Sequence, residues 1–210
     1  MDNTLQNLLT LVDQSCAASG NALRDFELEA WRQALACSPY LSTTVSQHWA
    51  WVETDFARTR WSKPLVWQDL EGLLEDLKHQ GFDIDAQLRK LRNRVMMRLI
   101  WRDFSRQCRA QETVQQVSLL AEFCIQTAVA CAGQELRERF GQPIGADSGN
   151  VQNLVTLAMG KLGAGELNLS SDIDLIFVYP ESGQTEGGRK SVSNQEYFIK
   201  VGQRVITLLD

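Results

Sequence analysis

The chain has 210 residues, a formal net charge of −5 and 44% hydrophobic residues, which is ordinary for a globular protein that buries a sizeable core in one or two domains. The negative charge argues against a dedicated nucleic-acid binder, and the lack of any run of eighteen apolar residues argues against a membrane span. Five cysteines without a C-x-x-C pair predict reduced thiols in a cytoplasmic protein rather than a metal site.

Helical periodicity dominates the first two thirds of the chain. Apolar residues at helical spacing predict six helices. The first begins at Leu5, and the other five span about residues 21–38, 42–58, 69–80, 83–108 and 112–140. Asn21 is the predicted cap of the second helix, and Asp83 or Asp85 is that of the fifth. Gly81 is predicted to end the fourth. The composition of residues 141–149 predicts a loop, and this loop is the best candidate for a domain boundary.

Six tryptophans and many arginines lie in this helical part. At helical spacing, the tryptophans are predicted to pack in the core rather than to form a shelf for nucleotide stacking. The basic residues of the fifth helix are Arg89, Lys90, Arg92, Arg94, Arg98, Arg102, Arg106 and Arg109. We expect their stems to cover apolar surface and their heads to pair with water or with nearby acids, among them Glu71, Glu75 and Asp76. Binding of phosphate, nucleic acid or a protein substrate is the alternative. His48 and His79 have no acidic or cysteine partner in the sequence, and we assign them no catalytic role.

Two short apolar runs flank a glycine-rich turn, G-K-L-G-A-G at residues 160–165. The second run begins with Asp172 and Asp174, and both are predicted to lie on one face because successive side chains of a strand alternate. Two such carboxylates favour a divalent cation such as Mg²⁺. Phosphate oxygens usually complete the coordination shell of this ion. Glycines let backbone approach a phosphate closely. The pattern predicts a metal-dependent phosphoryl- or nucleotidyl-transfer site, and a solvated acidic pair is the alternative.

The end of the chain returns to polar and then helical patterns. Residues 181–194 are polar and carry glycines, which predicts either a mobile loop over the site or a solvated connection. Residues 195–210 have apolar side chains at helical spacing and predict a last helix.

Residues 160–177, GKLGAGELNLSSDIDLIF, resemble the signature of the glutamine synthetase adenylyltransferase/adenylyl-removing family, within the nucleotidyltransferase superfamily that includes DNA polymerase β. The motif N-L-S-S-D-I-D, which follows a long helical segment, resembles that of the first, adenylyl-removing half of these long enzymes. The resemblance implies an α+β chain. It implies an all-α domain at residues 1–145, followed at 146–210 by the first part of a polymerase-β-like nucleotidyltransferase domain with a mixed sheet and helices.

The resemblance also implies roles for the residues of the signature. Asp172 and Asp174 would be catalytic and hold Mg²⁺, with ATP or ADP as nucleotide substrate or product. The implied nucleotide-binding residues are Gly160, Lys161, Gly163, Gly165 and Ser171. In this family a third carboxylate lies on a later strand, beyond residue 210, and Asp210 is a poor candidate for it. We therefore expect a fragment of a larger enzyme that is inactive alone.

The partners follow from the resemblance alone. The family transfers AMP to a tyrosine of glutamine synthetase and reverses this with phosphate, yielding ADP, so glutamine synthetase, a PII-type signal protein, nucleotide and phosphate are the implied partners. Two alternatives stay open. One is a helical docking module with an incomplete nucleotide fold, and the other is a different nucleotidyltransferase, such as one similar to PII uridylyltransferase.

Overall fold

The computed structural model describes residues 3–18, 20, 22–59 and 61–210. Asn21, the predicted cap of the second helix, lies outside the described residues. The helices of the first part are α1 (Asn3–Ala18), α2 (Asp25–Cys37), α3 (Pro39–Gln47), α4 (Trp49–Trp51), a π-helical turn (Val52–Phe56), α5 (Ala57–Thr59), α6 (Trp67–His79), α7 (Ile84–Phe104) and α8 (Ala110–Phe140).

The helix ends follow local chemistry. Asp83, rather than Asp85, caps α7 by accepting the Ala86 N–H at 2.9 Å. Gly81 follows α6 with φ +85°, a conformation that glycine adopts at little cost. The single helix predicted over residues 42–58 is wrong, because the backbone at His48 is not helical (φ −128°, ψ 41°) and separates α3 from α4.

Two hydrophobic cores share helix α7. The first core lies between α1–α5 and one side of α7. At its centre is a cluster of four rings whose centroids are 4.7–6.1 Å apart, those of Trp31, Phe56, Trp61 and Trp101. These rings are at most 1% exposed, which confirms core packing for three of the tryptophans and leaves no room for a nucleotide between them. The second core lies among α6, α7, α8 and the elements that follow residue 140.

Three arginines of α7 bond within the protein, but not to the predicted acids. Arg94, Arg98 and Arg102 share one side of the helix at four-residue spacing. Their acceptors are the Asp55 carboxylate (2.7 and 2.8 Å), the Lys63 carbonyl, the Trp61 carbonyl (2.6 Å) and the Glu112 carboxylate. Pairing with acids is confirmed for Arg94 and Arg102. The acids named on α6 are not the partners of these three arginines, because tertiary packing brings nearer acceptors from other segments. Glu75, one of the acids predicted to pair with these arginines, has its Oε1 atom 3.4 Å from the Nε2 atom of His79. The sequence showed no acidic partner for this histidine, but the structure provides one.

Helix α8 is long and apolar enough to cross a membrane when judged by length and composition alone. That single indication is weak, since the central helix of a globular core passes the same test. Here Val117, Leu120, Phe123 and Ala128 of α8 are buried in the second core. Packing against α6, α7 and the last helix therefore accounts for its apolar character.

The strands form two antiparallel pairs. Strand β1 (Gly141–Gly145) pairs with β4 (Gly183–Gly187), and β2 (Val155–Ala158) pairs with β3 (Leu175–Val178). The helices that follow residue 140 are the short α9 (Gly160–Gly163) and α10 (Asn194–Leu209), whose cap is the Ser193 side chain.

Strands β1 and β4 correct two predicted loops, at residues 141–149 and 181–194. Glycine makes this pairing possible: a Cβ on Gly141 would lie 2.0 Å from the Glu186 carbonyl oxygen, and one on Gly183 would lie 1.9 Å from that of Ile144. The buried side chain of Asn194 then donates to the Ile144 carbonyl at 2.9 Å. Close backbone contact replaces the apolar alternation that usually reveals a strand.

The α+β class is confirmed by this arrangement. The strands of the described residues pair only in antiparallel fashion, so the expected mixed sheet has no parallel pair in this part of the chain. The second core contains side chains from both sides of the boundary predicted at residues 145/146. That boundary stays a prediction.

Candidate functional site

The two predicted carboxylates stand at the start of strand β3 rather than within it. The strand begins at Leu175, but the Met159 N–H donates to the Asp174 carbonyl at 2.9 Å and extends the β2–β3 pairing by one step. Exposure alternates through the segment, with Asp172 and Asp174 exposed and Ile173 turned towards the second core. The structure therefore places both carboxylates on one exposed face.

The glycine turn has backbone reasons for its composition. Gly160 and Gly165 have φ values of +55° and +69°, which side-chain-bearing residues rarely adopt. A Cβ on Gly163 would lie 2.5 Å from the Ala158 carbonyl oxygen, so glycine lets α9 pack directly on β2. The predicted role of these glycines towards phosphate stays a prediction, since each already has a structural explanation.

The turn also contacts the acidic segment. A Cβ on Gly160 would lie 3.8 Å from the Asp174 Oδ2 atom, and the Lys161 Nζ lies 3.5 Å from the Ser171 Oγ. The Ser171 Oγ also accepts the Asn168 N–H at 3.1 Å, so both contacts use the hydroxyl as an acceptor and its own proton remains available. The structure thus brings Gly160 close to Asp174, and Lys161 close to Ser171, the residue that precedes Asp172.

The carboxylate pair fits a magnesium ion that also binds phosphate. Neither Asp172 nor Asp174 makes a side-chain hydrogen bond or ion pair with the described residues. No group of three or more His, Cys, Asp or Glu side chains suited to a metal occurs among the residues that the structure describes. Because Mg²⁺ is usually held by one or two carboxylates together with substrate phosphates and water, two acids suffice for such a shared site.

A cavity of about 360 Å³ opens beside Asp172, and sequence reasoning missed it. It lies between α7, α8, the end of α10 and the loop of residues 167–173, and we call it the α7 cavity. Ser171 and Asp172 line one wall, and Arg89 and Arg92 of α7 line another. The sequence did show a basic helix in which Arg89 and Arg92 are three residues apart. It did not show which arginines of that helix lack an acidic partner.

Asp85 on the same wall already has a partner. The Arg204 guanidinium donates two hydrogen bonds of 2.8 Å to Asp85 and two more, of 2.8 and 3.1 Å, to Glu135. Hydrogen bonding to Arg204 lowers the pKa of the Asp85 carboxyl. Arg204 therefore ties α10 to α7 and α8 and engages the Asp85 carboxylate. The positive charge of Arg89 lowers the pKa of Asp85 further, as the smallest of the contributions, but Arg89 makes no hydrogen bond or ion pair with this acid, and Arg89 and Arg92 both face the cavity.

An α+β chain with two unpaired carboxylates on one exposed face at the start of a strand, beside a tight glycine turn, has the arrangement expected of a nucleotidyltransferase-type enzyme. The family model described as glutamate-ammonia ligase adenylyltransferase matches residues 28–210, and the chain belongs to this family of enzymes.

Similar proteins carry the name bifunctional glutamine synthetase adenylyltransferase/adenylyl-removing enzyme. The one from Pseudomonas aeruginosa is 38% identical over 210 residues, covering 98% of this chain and 21% of the relative. The one from Chromobacterium violaceum is 54% identical over 123 residues, covering 59% of this chain and 14% of the relative. The one from Pseudomonas putida is 37% identical over 218 residues, covering 99% and 22%. The chain thus spans at most about a fifth of the length of these curated relatives.

Proposed function

We propose that this chain is the N-terminal part of a cytoplasmic enzyme that controls glutamine synthetase by adenylylation and deadenylylation. This half removes AMP from a glutamine synthetase tyrosine by phosphorolysis and releases ADP. A PII-type signal protein is the proposed regulatory partner, and the chain by itself is expected to be inactive. Family membership supports the enzyme class, and the segment around Asp172, which resembles the adenylyl-removing half, supports the direction.

The observation that carries this proposal is the unpaired, same-face placement of Asp172 and Asp174. Acidic side chains that serve only structure usually accept hydrogen bonds or pair with cations, as Asp55 and Asp85 do in this chain. Two carboxylates left open beside a turn whose backbone packs tightly against β2 are suited to a ligand that brings its own cation. That ligand, in our proposal, is the phosphate of an adenylyl group.

The chain's own residues bind and orient the reacting groups. Asp172 and Asp174 would hold Mg²⁺, which when bound neutralises charge on phosphate oxygens. The Ser171 hydroxyl, whose proton is not used within the described structure, donates to a phosphate oxygen, and Lys161 adds positive charge beside it. In the proposed reaction an oxygen of inorganic phosphate bonds to the AMP phosphorus and the bond to the tyrosine oxygen breaks. That oxygen takes up a proton, and the products are ADP and free tyrosine.

The test uses a chain extended beyond residue 210, as in the longer relatives, with adenylylated glutamine synthetase and phosphate. We expect ADP release that falls by at least about a hundredfold in Asp172→Asn with Asp174→Asn, because the metal ligands are lost. Asp147→Asn, an exposed acid outside the site, is the matched control and keeps its activity. Undiminished ADP release by the double variant contradicts the site assignment. In a parallel assay with ATP and unmodified glutamine synthetase, AMP transfer to the tyrosine with release of pyrophosphate, together with no ADP release from the adenylylated form and phosphate, contradicts the proposed direction.

A further inference from the structure

Helix α7 carries two groups of arginines with different surroundings. Arg94, Arg98 and Arg102 are engaged by acceptors of the protein, as described above. Arg89 and Arg92 lie on another side of the helix, three residues apart, and both are exposed. Neither makes a hydrogen bond or ion pair with any residue that the structure describes. Their guanidinium donors are therefore available to a ligand.

These two arginines face a shaped space. They line the α7 cavity together with apolar side chains of α7 and α8, among them Leu88 and Val117. Apolar walls reduce the competition from water, so charged hydrogen bonds within the cavity are stronger than those on an open surface. A guanidinium presents N–H donors in a fork that matches two oxygens of a phosphate. The chemistry of this wall therefore suits a phosphate group.

The opposite wall connects the cavity to the carboxylate pair, because Ser171 and Asp172 line it. Asp85, Asp172 and Asp210 also line the cavity and repel an anion. Arg204 pairs with Asp85, and a cation held at Asp172 and Asp174 offsets the repulsion from Asp172. A phosphate in the cavity would thus have arginines on one side and the proposed cation on the other. Such a phosphate group would lie beside Asp172, one of the two carboxylates of the proposed reaction.

We propose that the α7 cavity binds a phosphate group, either free inorganic phosphate or the phosphate of an adenylyl nucleotide, through Arg89 and Arg92. This inference rests on the proposed function for the identity of the ligand, but its residues lie in the helical part and are separate from the carboxylates. The helical part is then one wall of the substrate site as well as a support for it.

The test is calorimetric titration of the 210-residue protein, in the presence of Mg²⁺, with inorganic phosphate, AMP and adenosine. Arg89→Gln with Arg92→Gln is expected to weaken binding of phosphate, AMP or both by at least about tenfold, since charged hydrogen bonds to the anion are lost. Adenosine, which has no phosphate, is expected to be unaffected. Weakening of phosphate alone identifies the free anion as the occupant, and weakening of AMP alone identifies the nucleotide.

The matched control is Arg109→Gln with Arg189→Gln, which removes the same charge from two exposed arginines outside the cavity. We expect this control to change affinity by less than about twofold, and both double variants to unfold at the temperature of the parent, because exposed side chains without partners contribute little stability. Equal weakening in the two double variants overturns the proposal by showing a bulk charge effect. Unchanged binding in the cavity variant, or no binding of phosphate and AMP by the parent protein, also overturns it.

The two proposals fail in different ways. If the proposed carboxylate role is wrong but the cavity is correct, Asp172→Asn with Asp174→Asn leaves the arginine-dependent binding of phosphate in place. If the cavity is wrong but the carboxylates are correct, the arginine variant of the extended enzyme keeps its apparent affinity for phosphate while the aspartate variant loses turnover.

Discussion

Replacing Arg204 by alanine tests how the last helix is held to the rest of the molecule. Arg204 is 25% exposed and donates four hydrogen bonds, two to Asp85 and two to Glu135, whose side chains are 37% and 45% exposed. Exposed ion pairs contribute about 0–1 kcal/mol each, and hydrogen bonds to charged groups contribute more when they are partly buried. Water can rehydrate both acids once the arginine is removed, so the desolvation penalty is small. We therefore estimate a loss of about 2 kcal/mol in the free energy of unfolding.

For a chain of this length, such a loss lowers the unfolding temperature by about 4–8 °C. The assay is urea or thermal unfolding followed by circular dichroism, with Arg109→Ala as a control that removes an equal charge from an exposed arginine. The control is expected to change stability by less than about 0.5 kcal/mol. A change of that small size in Arg204→Ala would refute the view that this side chain anchors α10 to α7 and α8.

Three further predictions follow from individual contacts. The pKa of Asp85 is lowered in the folded state, so the carboxylate stabilises the fold above the pKa of the unfolded carboxyl, near 4. This stabilisation decreases as the pH falls through the lower pKa of the folded state. Unfolding titrations from pH 7 to pH 3 check this, and Arg204→Ala is expected to lose less stability than the parent over that interval. Burial raises the pKa of the Cys124 thiol to about 12, so iodoacetamide at pH 8 is expected to label the exposed Cys37 long before Cys124, as peptide mass spectrometry can measure. Gly163→Ala is expected to cost about 1–3 kcal/mol of unfolding free energy in urea titrations, because its methyl group would overlap a β2 carbonyl; an unchanged midpoint would show that α9 can shift away.

Most of the helical part could be predicted because its signals are local. Asp83 and Gly81 mark helix ends through their own backbone neighbours, and the apolar stripes of α8 and α10 face the second core as their spacing predicts. The break at His48 could not be predicted in this way, since the apolar spacing continues through it. The partners of the α7 arginines were also out of reach, because Asp55 lies 39 residues from Arg94 in the sequence and only packing brings them together.

The candidate site shows the same division. The shared face of Asp172 and Asp174 follows from the alternation of side chains, which extends beyond the strand that begins at Leu175. The pairing of β1 with β4 could not be predicted, because it depends on close backbone contact at glycines rather than on apolar alternation. The α7 cavity could not be predicted either, since its two charged walls are separated by about 80 residues of sequence.

The central claim, that Asp172 and Asp174 together hold a divalent cation for a phosphate ligand, is tested most directly with crystals grown with Mn²⁺ and ADP. Mn²⁺ replaces Mg²⁺ in carboxylate sites and is located by its anomalous scattering. We predict an anomalous peak about 2.1–2.3 Å from an oxygen of each carboxylate, with a phosphate oxygen of ADP in the same coordination shell. A peak that contacts neither carboxylate, or ordered ADP at the site with no metal beside Asp172 and Asp174, would contradict the claim.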